Sequence, residues 1–314
     1  MKCLIAGAGG FIGGHLMKRL QLDGHEIICA DIKPVSLWFQ VSDKNKNLSI
    51  DLKDFNNCLQ VCDGVDYIFN LACNMGGMGF IENNKAECML SVLINTNLLR
   101  AGLQNKISKY YFSSSACVYN ALKQNDTFID GLKEEDAYPA MPEDGYGWEK
   151  LFSERMCRHF YEDFGLEVRI ARYHNVYGPL GTYDGGREKV PAALCRKVSI
   201  AKIKKEKEIE IWGDGKQTRS FLYIDDCIDA TIKLVKSNHR EPINIGSDRK
   251  ISINDLLNIV LKISNLGSIK KIHLLNKPKG VRGRASNNNN FYKFIKSKHK
   301  TSLEKGLQVT YAWI

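Results

Sequence analysis

Lys2-Cys-Leu-Ile-Ala-Gly-Ala-Gly-Gly-Phe-Ile-Gly-Gly14 opens the chain. A short β-type apolar run, Lys2–Ala6, meets a cluster of glycines, and Ile12, Leu16 and Leu20 then repeat at helical spacing over Phe11–Leu22. The pattern predicts strand, tight turn and helix. Within it Gly7, Gly10 and Gly13 are spaced so that missing side chains permit the turn, the close approach of a pyrophosphate and the packing of helix on strand. The helix N-terminus adds free N–H groups and the positive end of its dipole. Gly7, Gly10, Phe11, Ile12 and Gly13 are therefore the expected phosphate cradle.

Strands are expected next at 26–30, 48–50 and Tyr67–Asn70, and a fifth at 110–113 follows one long amphipathic helix over 81–103. A helix over 146–164 leads to a sixth strand at 168–171. Such alternation implies right-handed crossovers and an α/β, Rossmann-like doubly wound parallel sheet. From about residue 178 the alternation weakens. We expect an NAD-binding Rossmann domain over 1–177, to which 218–240 returns, and a smaller C-terminal α/β domain over 178–314 that binds substrate.

Asp31 ends the second strand, eighteen residues after Gly13. A carboxylate there accepts hydrogen bonds from the adenosine ribose hydroxyls and repels a 2′-phosphate, which selects NAD over NADP. Asp51, past the third strand, is a candidate for the adenine edge; a helix N-cap in Asp51-Leu-Lys-Asp54 is the rival reading. Leu71, just past the fourth strand, completes the expected cofactor contacts.

The 314 residues are 44% hydrophobic and 25% charged, as in ordinary folded proteins. No apolar stretch approaches the ~18 residues of a membrane span, and the initial apolar run is too short for a signal peptide. A cytoplasmic protein with no membrane partner is expected. The ten cysteines include no C-x-x-C pair, so reduced thiols and no metal site are expected. The net charge of +10 gathers in 196–207 and 270–300 without a nucleic-acid-binding motif. A solvated face, with a few cations free to serve a phosphorylated small molecule, is the simpler reading.

Tyr146-x-x-x-Lys150 places two side chains one helical turn apart on a shared face. The ammonium there is expected to lower the phenol from its reference of ~10 toward working pH, making a base for a hydroxyl that loses hydride. Ser115, in the serine run that ends the fifth strand, is placed to orient the substrate oxygen. A plain dehydrogenase needs no more. Cys117 and Lys189 are two further proton-handling groups, although each alone reads as readily as a buried small hydrophobe and a solvated loop lysine.

Several segments together resemble the extended short-chain dehydrogenase/reductases and, among them, the GDP-mannose 3,5-epimerase family. They are 7–13, 70–80, 114–119, 146–150, 172–179, 185–193, 212–221 and 280–284, and the double-glycine loop at 75–79 and Arg187-Glu-Lys189 are the most specific. The resemblance implies NAD-dependent oxidation of a hexose at C4, which acidifies the protons at C3 and C5, and reduction again at the end. Cys117 and Lys189 then serve as acid and base on opposite faces, in an order left open. GDP-mannose would become GDP-L-galactose; a related GDP-sugar such as a heptose, or a 4-dehydrogenase, is the alternative, and a non-catalytic NAD-binding regulator is the alternative outside enzymes.

By the same resemblance Gly76, Ser115, Ala116, Cys117, Asn175, Glu188, Lys189, Val190, Gln217 and Thr218 contact the substrate. Lys197, Arg219 and Arg282 would clamp its nucleotide and diphosphate, with a basic loop as the competing reading of Arg282 and Arg284. A homodimer is implied as well. Asn120, Leu90-Ser91 and a lysine-rich insertion near 196–208 depart from the pattern.

Overall fold

A computed structural model of the chain describes residues 1–278 and 280–314. The strands are β1 (Lys2–Ala6), β2 (Glu26–Asp31), β3 (Lys46–Ser49), β4 (Tyr67–Asn70), β5 (Lys109–Ser115), β6 (Val168–Tyr173), β7 (Val176–Tyr177), β8 (Glu208–Trp212), β9 (Thr218–Ser220), β10 (Leu222–Tyr223), β11 (Ile243–Ile245), β12 (Lys250–Ser252), β13 (Lys270–Leu274) and β14 (Gly283–Arg284). The helices are α1 (Phe11–Leu22), α2 (Phe55–Cys62), α3 (Met78–Asn83), α4 (Lys85–Met89), α5 (Ser91–Gln104), α6 (Asp144–Phe164), α7 (Val190–Lys204), α8 (Ile224–Lys236), α9 (Ile253–Ser264) and α10 (Leu303–Trp313).

Seven strands form one parallel sheet in the order β11-β6-β5-β4-β1-β2-β3. Helices cover both faces, so the central strands are apolar on both sides. In β1, Cys3 and Ile5 pack with Leu16 and Leu20 of α1, while Leu4 and Ala6 pack with Cys58 of α2 and Leu98 of α5. The strand order reverses between β1 and β4, and it is beside the carboxyl ends of the strands at such a point that open α/β sheets form their binding crevice.

The smaller layer holds a three-stranded sheet, β12-β9-β14, and the pair β13-β8. The expected return over 218–240 divides. Thr218–Ser220 pairs with β12 and β14, whereas α8 joins the core beside α1 and β11 becomes the edge strand of the large sheet.

Three other expectations need correcting. The single helix over 81–103 is α3, α4 and α5, broken first at Asn84, whose backbone leaves helical values (φ −133°, ψ 45°) and whose Nδ2 donates to the Phe80 carbonyl at 2.9 Å. An Asn amide that satisfies a terminal carbonyl favours such a break. β5 runs on to Ser115 and β6 to Tyr173, because the serines and tyrosine at their ends pair with each other across the two strands. β3 lies two residues earlier than its apolar positions suggest, an edge strand held by pairing to β2 alone.

Candidate active site

The glycine turn rises from β1 onto α1. Gly7 has φ +84°, and a Cβ there would lie 2.8 Å from the Ala72 nitrogen, against the neighbouring strand's exit. A Cβ at Gly13 would lie 2.1 Å from the Gly7 carbonyl oxygen, so only glycine lets α1 seat on the turn. The α1 N-cap, Gly10, offers no side chain to the first-turn N–H groups. Phe11 packs over Gly181, Ile12 lies against the core beside β1, and the Leu71 N–H donates to the Ala6 carbonyl at 2.9 Å at the mouth of the crevice. This cradle of bare backbone is what a dinucleotide's pyrophosphate requires.

Asp31 is buried at the tip of β2, where its Oδ1 accepts from the Lys33 N–H at 3.0 Å. Asp51 is not a helix cap: its Oδ1 accepts from Lys53 N–H at 2.9 Å, and Asp54 caps α2, accepting from Asn56 and Asn57. The rival reading of Asp51 thus fails by three residues. Sequence reasoning missed Lys33, whose ammonium donates to the Gly9 carbonyl at 3.0 Å, and Trp38, whose indole stands over Gly9.

Farther along the crevice, β5 ends at Ser115 and turns through Ala116–Val118, which carries Cys117. The Ser115 hydroxyl accepts from the Cys117 N–H at 3.2 Å and interacts with the Tyr146 phenol. Lys150 lies one turn along α6, its Nζ 5.8 Å from the Tyr146 ring centroid, 4.7 Å over the Phe112 ring and 3.7 Å from Glu149 Oε2. Burial opposes its charge, but Cys73 and Glu149 outweigh that and hold it above the ordinary lysine range.

The lowered phenol expected from the Tyr-x-x-x-Lys spacing is not what the structure holds. Burial, reinforced by Cys73, Cys117 and Glu149, keeps Tyr146 well above its ordinary value, so it stands protonated. Helical spacing sets which residues share a face; the desolvation of that face outweighs the ammonium.

Lys189 caps α7 from the loop that faces Cys117. Loss of hydration pushes its ammonium down, and the groups that act on it, Cys117, Cys73, Arg284 and Glu143, identify its neighbours. The Cys117 thiol is pushed up, first by burial and then by Glu143, with Arg284 and Lys189 pulling against them. The pair is thus a thiol that burial keeps protonated beside an ammonium that holds its proton less firmly than an ordinary lysine.

The substrate end is laced to this centre. Gly77 N–H donates to the Arg187 carbonyl at 3.2 Å, and Gly76 packs tightly between Phe80 and the Arg187 side chain, so the 75–79 loop lies on the Arg-Glu-Lys segment. Glu188 Oε2 and Gln217 Oε1 are buried acceptors without hydrogen-bond partners among the described residues, and so suit hydroxyl or amide donors of a ligand. Asn175, at φ +42°, donates to the Ser220 carbonyl at 3.0 Å, and the Thr218 hydroxyl donates to the Thr127 carbonyl at 2.8 Å. Ala116 is buried and Val190 exposed at the start of α7.

Arg219, Arg282 and Arg284 crowd together. Burial, then repulsion from Arg284, pushes Arg219 down to about 10. Arg282 pairs with Asp214 at 3.0 Å. Lys197 is not gathered with them: its Nζ donates to the Glu210 carbonyl at 2.8 Å. Arg284 is no basic loop but a buried strand residue, 5% exposed. Glu143 was missed altogether, since a lone glutamate one residue before a helix carries no spacing signal.

The NAD dependent epimerase/dehydratase family model matches residues 3–246. The GDP-mannose 3,5-epimerase of Arabidopsis thaliana is 44% identical over 317 residues, covering 100% of this chain and 82% of that protein. The UDP-glucuronic acid 4-epimerase of Bacillus cereus, solved with UDP-glucuronic acid and NAD, superposes with a TM-score of 0.83 at 25% identity, covering 100% of this chain and 98% of that one. The Thermotoga maritima UDP-glucose 4-epimerase has the same fold, with a TM-score of 0.88 at 22% identity and 100% of this chain covered.

Proposed function

Because the chain belongs to the NAD dependent epimerase/dehydratase family, we propose that it epimerises GDP-mannose at C3 and C5, giving GDP-L-galactose. The supporting observation is the convergence of Tyr146, Ser115, Cys117 and Lys189 at one end of a crevice whose other end is the glycine cradle. Bound NAD would supply a hydride acceptor and donor for the sugar's C4, so the reaction would have no net redox change. Gly7, Gly10, Phe11, Ile12, Gly13, Asp31, Asp51 and Leu71 are the residues that would hold it, with Tyr146 and Lys150.

Ser115 orients the C4 hydroxyl, and Tyr146 handles its proton. The phenol, which burial keeps protonated, is the form that returns a proton in the closing reduction; the opening step depends on Lys150, kept charged nearby, to stabilise the phenolate. With a ketone at C4, the neutral amine of Lys189 can remove an acidified proton and the thiol of Cys117 can supply one to the opposite face. Gly76, Ala116, Asn175, Glu188, Val190, Gln217 and Thr218 line the sugar, Arg219 and Arg282 hold the diphosphate, and Lys197, set apart from them, is left for the nucleotide's other end.

We read 1–177 with α8 and β11 as the cofactor domain and the remainder as the substrate layer. Leu93 of α5 and Trp148 and Phe152 of α6 are 43%, 44% and 58% exposed, an apolar stripe suited to a second copy of the chain, hence a homodimer. Ten free cysteines favour the reducing cytoplasm, and among the described residues no helix is long and apolar enough to cross a membrane. Incubating the protein with GDP-, UDP- and dTDP-sugars in deuterated water tests the reading. Deuterium at C3 and C5 of GDP-mannose is expected; label only in a non-GDP sugar would overturn it.

A further inference from the structure

Cys117 is held by a network that the chemistry above does not use. The Arg284 guanidinium donates from Nε to Gln124 Oε1 at 2.6 Å and from Nη1 to Cys117 Sγ at 3.5 Å, and its Nη2 forms an ion pair with Glu143 Oε2 at 2.8 Å. Gln124 cannot turn away. It is fully buried and its amide donates to the Tyr119 and Asn120 carbonyls at 3.3 and 3.2 Å, which leaves its oxygen facing the arginine. The backbone closes the ring, because Glu143 N–H donates to the Cys117 carbonyl at 3.1 Å and a Cβ at Gly147 would lie 2.4 Å from that same oxygen.

We propose that Arg284 and Glu143 are positioning residues for Cys117: the guanidinium fixes the sulfur against the start of α6, and the carboxylate offsets the positive charge that the guanidinium brings to the sulfur. The planar fork of arginine suits two directed hydrogen bonds and an ion pair at once, which lysine could not supply. A guanidinium beside a sulfur favours the thiolate, and a carboxylate paired with it opposes that pull in the same sense as burial. Burial alone would raise the Glu143 carboxyl, yet Arg284 holds it below the usual range, so the carboxylate stays ionised to do this. The other charged or titratable groups facing the thiol are Tyr146 on α6, Lys189 before α7 and Arg219 on β9, with the Ser115 hydroxyl at the end of β5.

The inference deepens the epimerase reading, and its role in proton supply at a sugar carbon rests on it, but its test needs no substrate. Full-length, NAD-loaded protein is alkylated with iodoacetamide across a pH series, with the Cys117 peptide followed by mass spectrometry. Glu143→Gln is expected to lower the pH midpoint of Cys117 alkylation by about one unit or more, and Arg284→Met to raise it by a similar amount. Coincident midpoints, or shifts of the same sign, would overturn the assignment. Should Arg284→Met not fold, Glu143→Gln decides alone: a lower midpoint supports the proposal and an unmoved one ends it. If the sugar panel fails while these opposite shifts appear, the epimerase reading falls and the network stands; if label enters the sugar and no shift appears, only the network falls.

Discussion

The glycine cradle and the Cys117 pocket lie at two ends of one crevice and are built in opposite ways. The cradle is consecutive backbone: Gly7 to Gly13 shape it by lacking side chains, and its binding groups are N–H donors at the start of α1. The pocket's reactive groups are side chains, drawn from the ends of β5 and β14, the start of α6 and the loop before α7, far apart in the chain and brought together by the fold. The first works by geometry that any dinucleotide enzyme of this fold needs. The second works by desolvation and opposed charges, which raise one group, lower another and leave a protonated thiol beside a poised amine.

Removing a chemical group from the pocket should therefore abolish a step and leave the cradle loaded. For Tyr146→Phe the rate of cofactor reduction by substrate, followed as NADH absorbance, is expected to fall about 10²- to 10⁴-fold with a far smaller change in NAD content. An equal loss of bound NAD would mean the two ends are not separable. The converse change, Gly13→Ala, forces a methyl against the Gly7 carbonyl. It is expected to cost about 1–3 kcal/mol in thermal or denaturant unfolding and to lower NAD occupancy, while Cys117 keeps its alkylation profile.

A third effect, at His174 on the Arg284 side of the pocket, shows only in acid. His174 is fully buried after β6, with Nε2 2.8 Å from Asn244 Oδ1, and loss of hydration lowers its pKa from 6.5 to about 3. The unfolded chain takes up this proton near pH 6.5 while the fold refuses it. The related stability is intact above that pH and drains away as the solution is acidified toward 3. His174→Gln should make the acid limb of the stability curve shallower by about 1.4 kcal/mol per pH unit through that window, measured by denaturant unfolding.

Much of this was legible in the sequence where function is carried by local spacing. The glycine run with its flanking apolar periods marks β1, the turn and α1, and Tyr146 and Lys150 do share a helix. The break at Asn84 was not legible, because the apolar period passes through it; neither was the cap at Asp54, since two aspartates three residues apart compete for one helix end. The phenol's protonation was misread for a different reason: spacing reports proximity, and burial decides charge.

What the sequence determined by itself is the cofactor end and the kind of chemistry, since backbone turns, helix dipoles and the reactivity of a cysteine or lysine are properties of short segments. The tertiary structure decided which charges face Cys117. Arg284 reads as one more cation in a lysine-rich tail until β14 pairs with β9 and carries it inward; Glu143 reads as surface until the two meet. Electrostatic effects depend on distance and on the water excluded between groups, and neither is written in residue order.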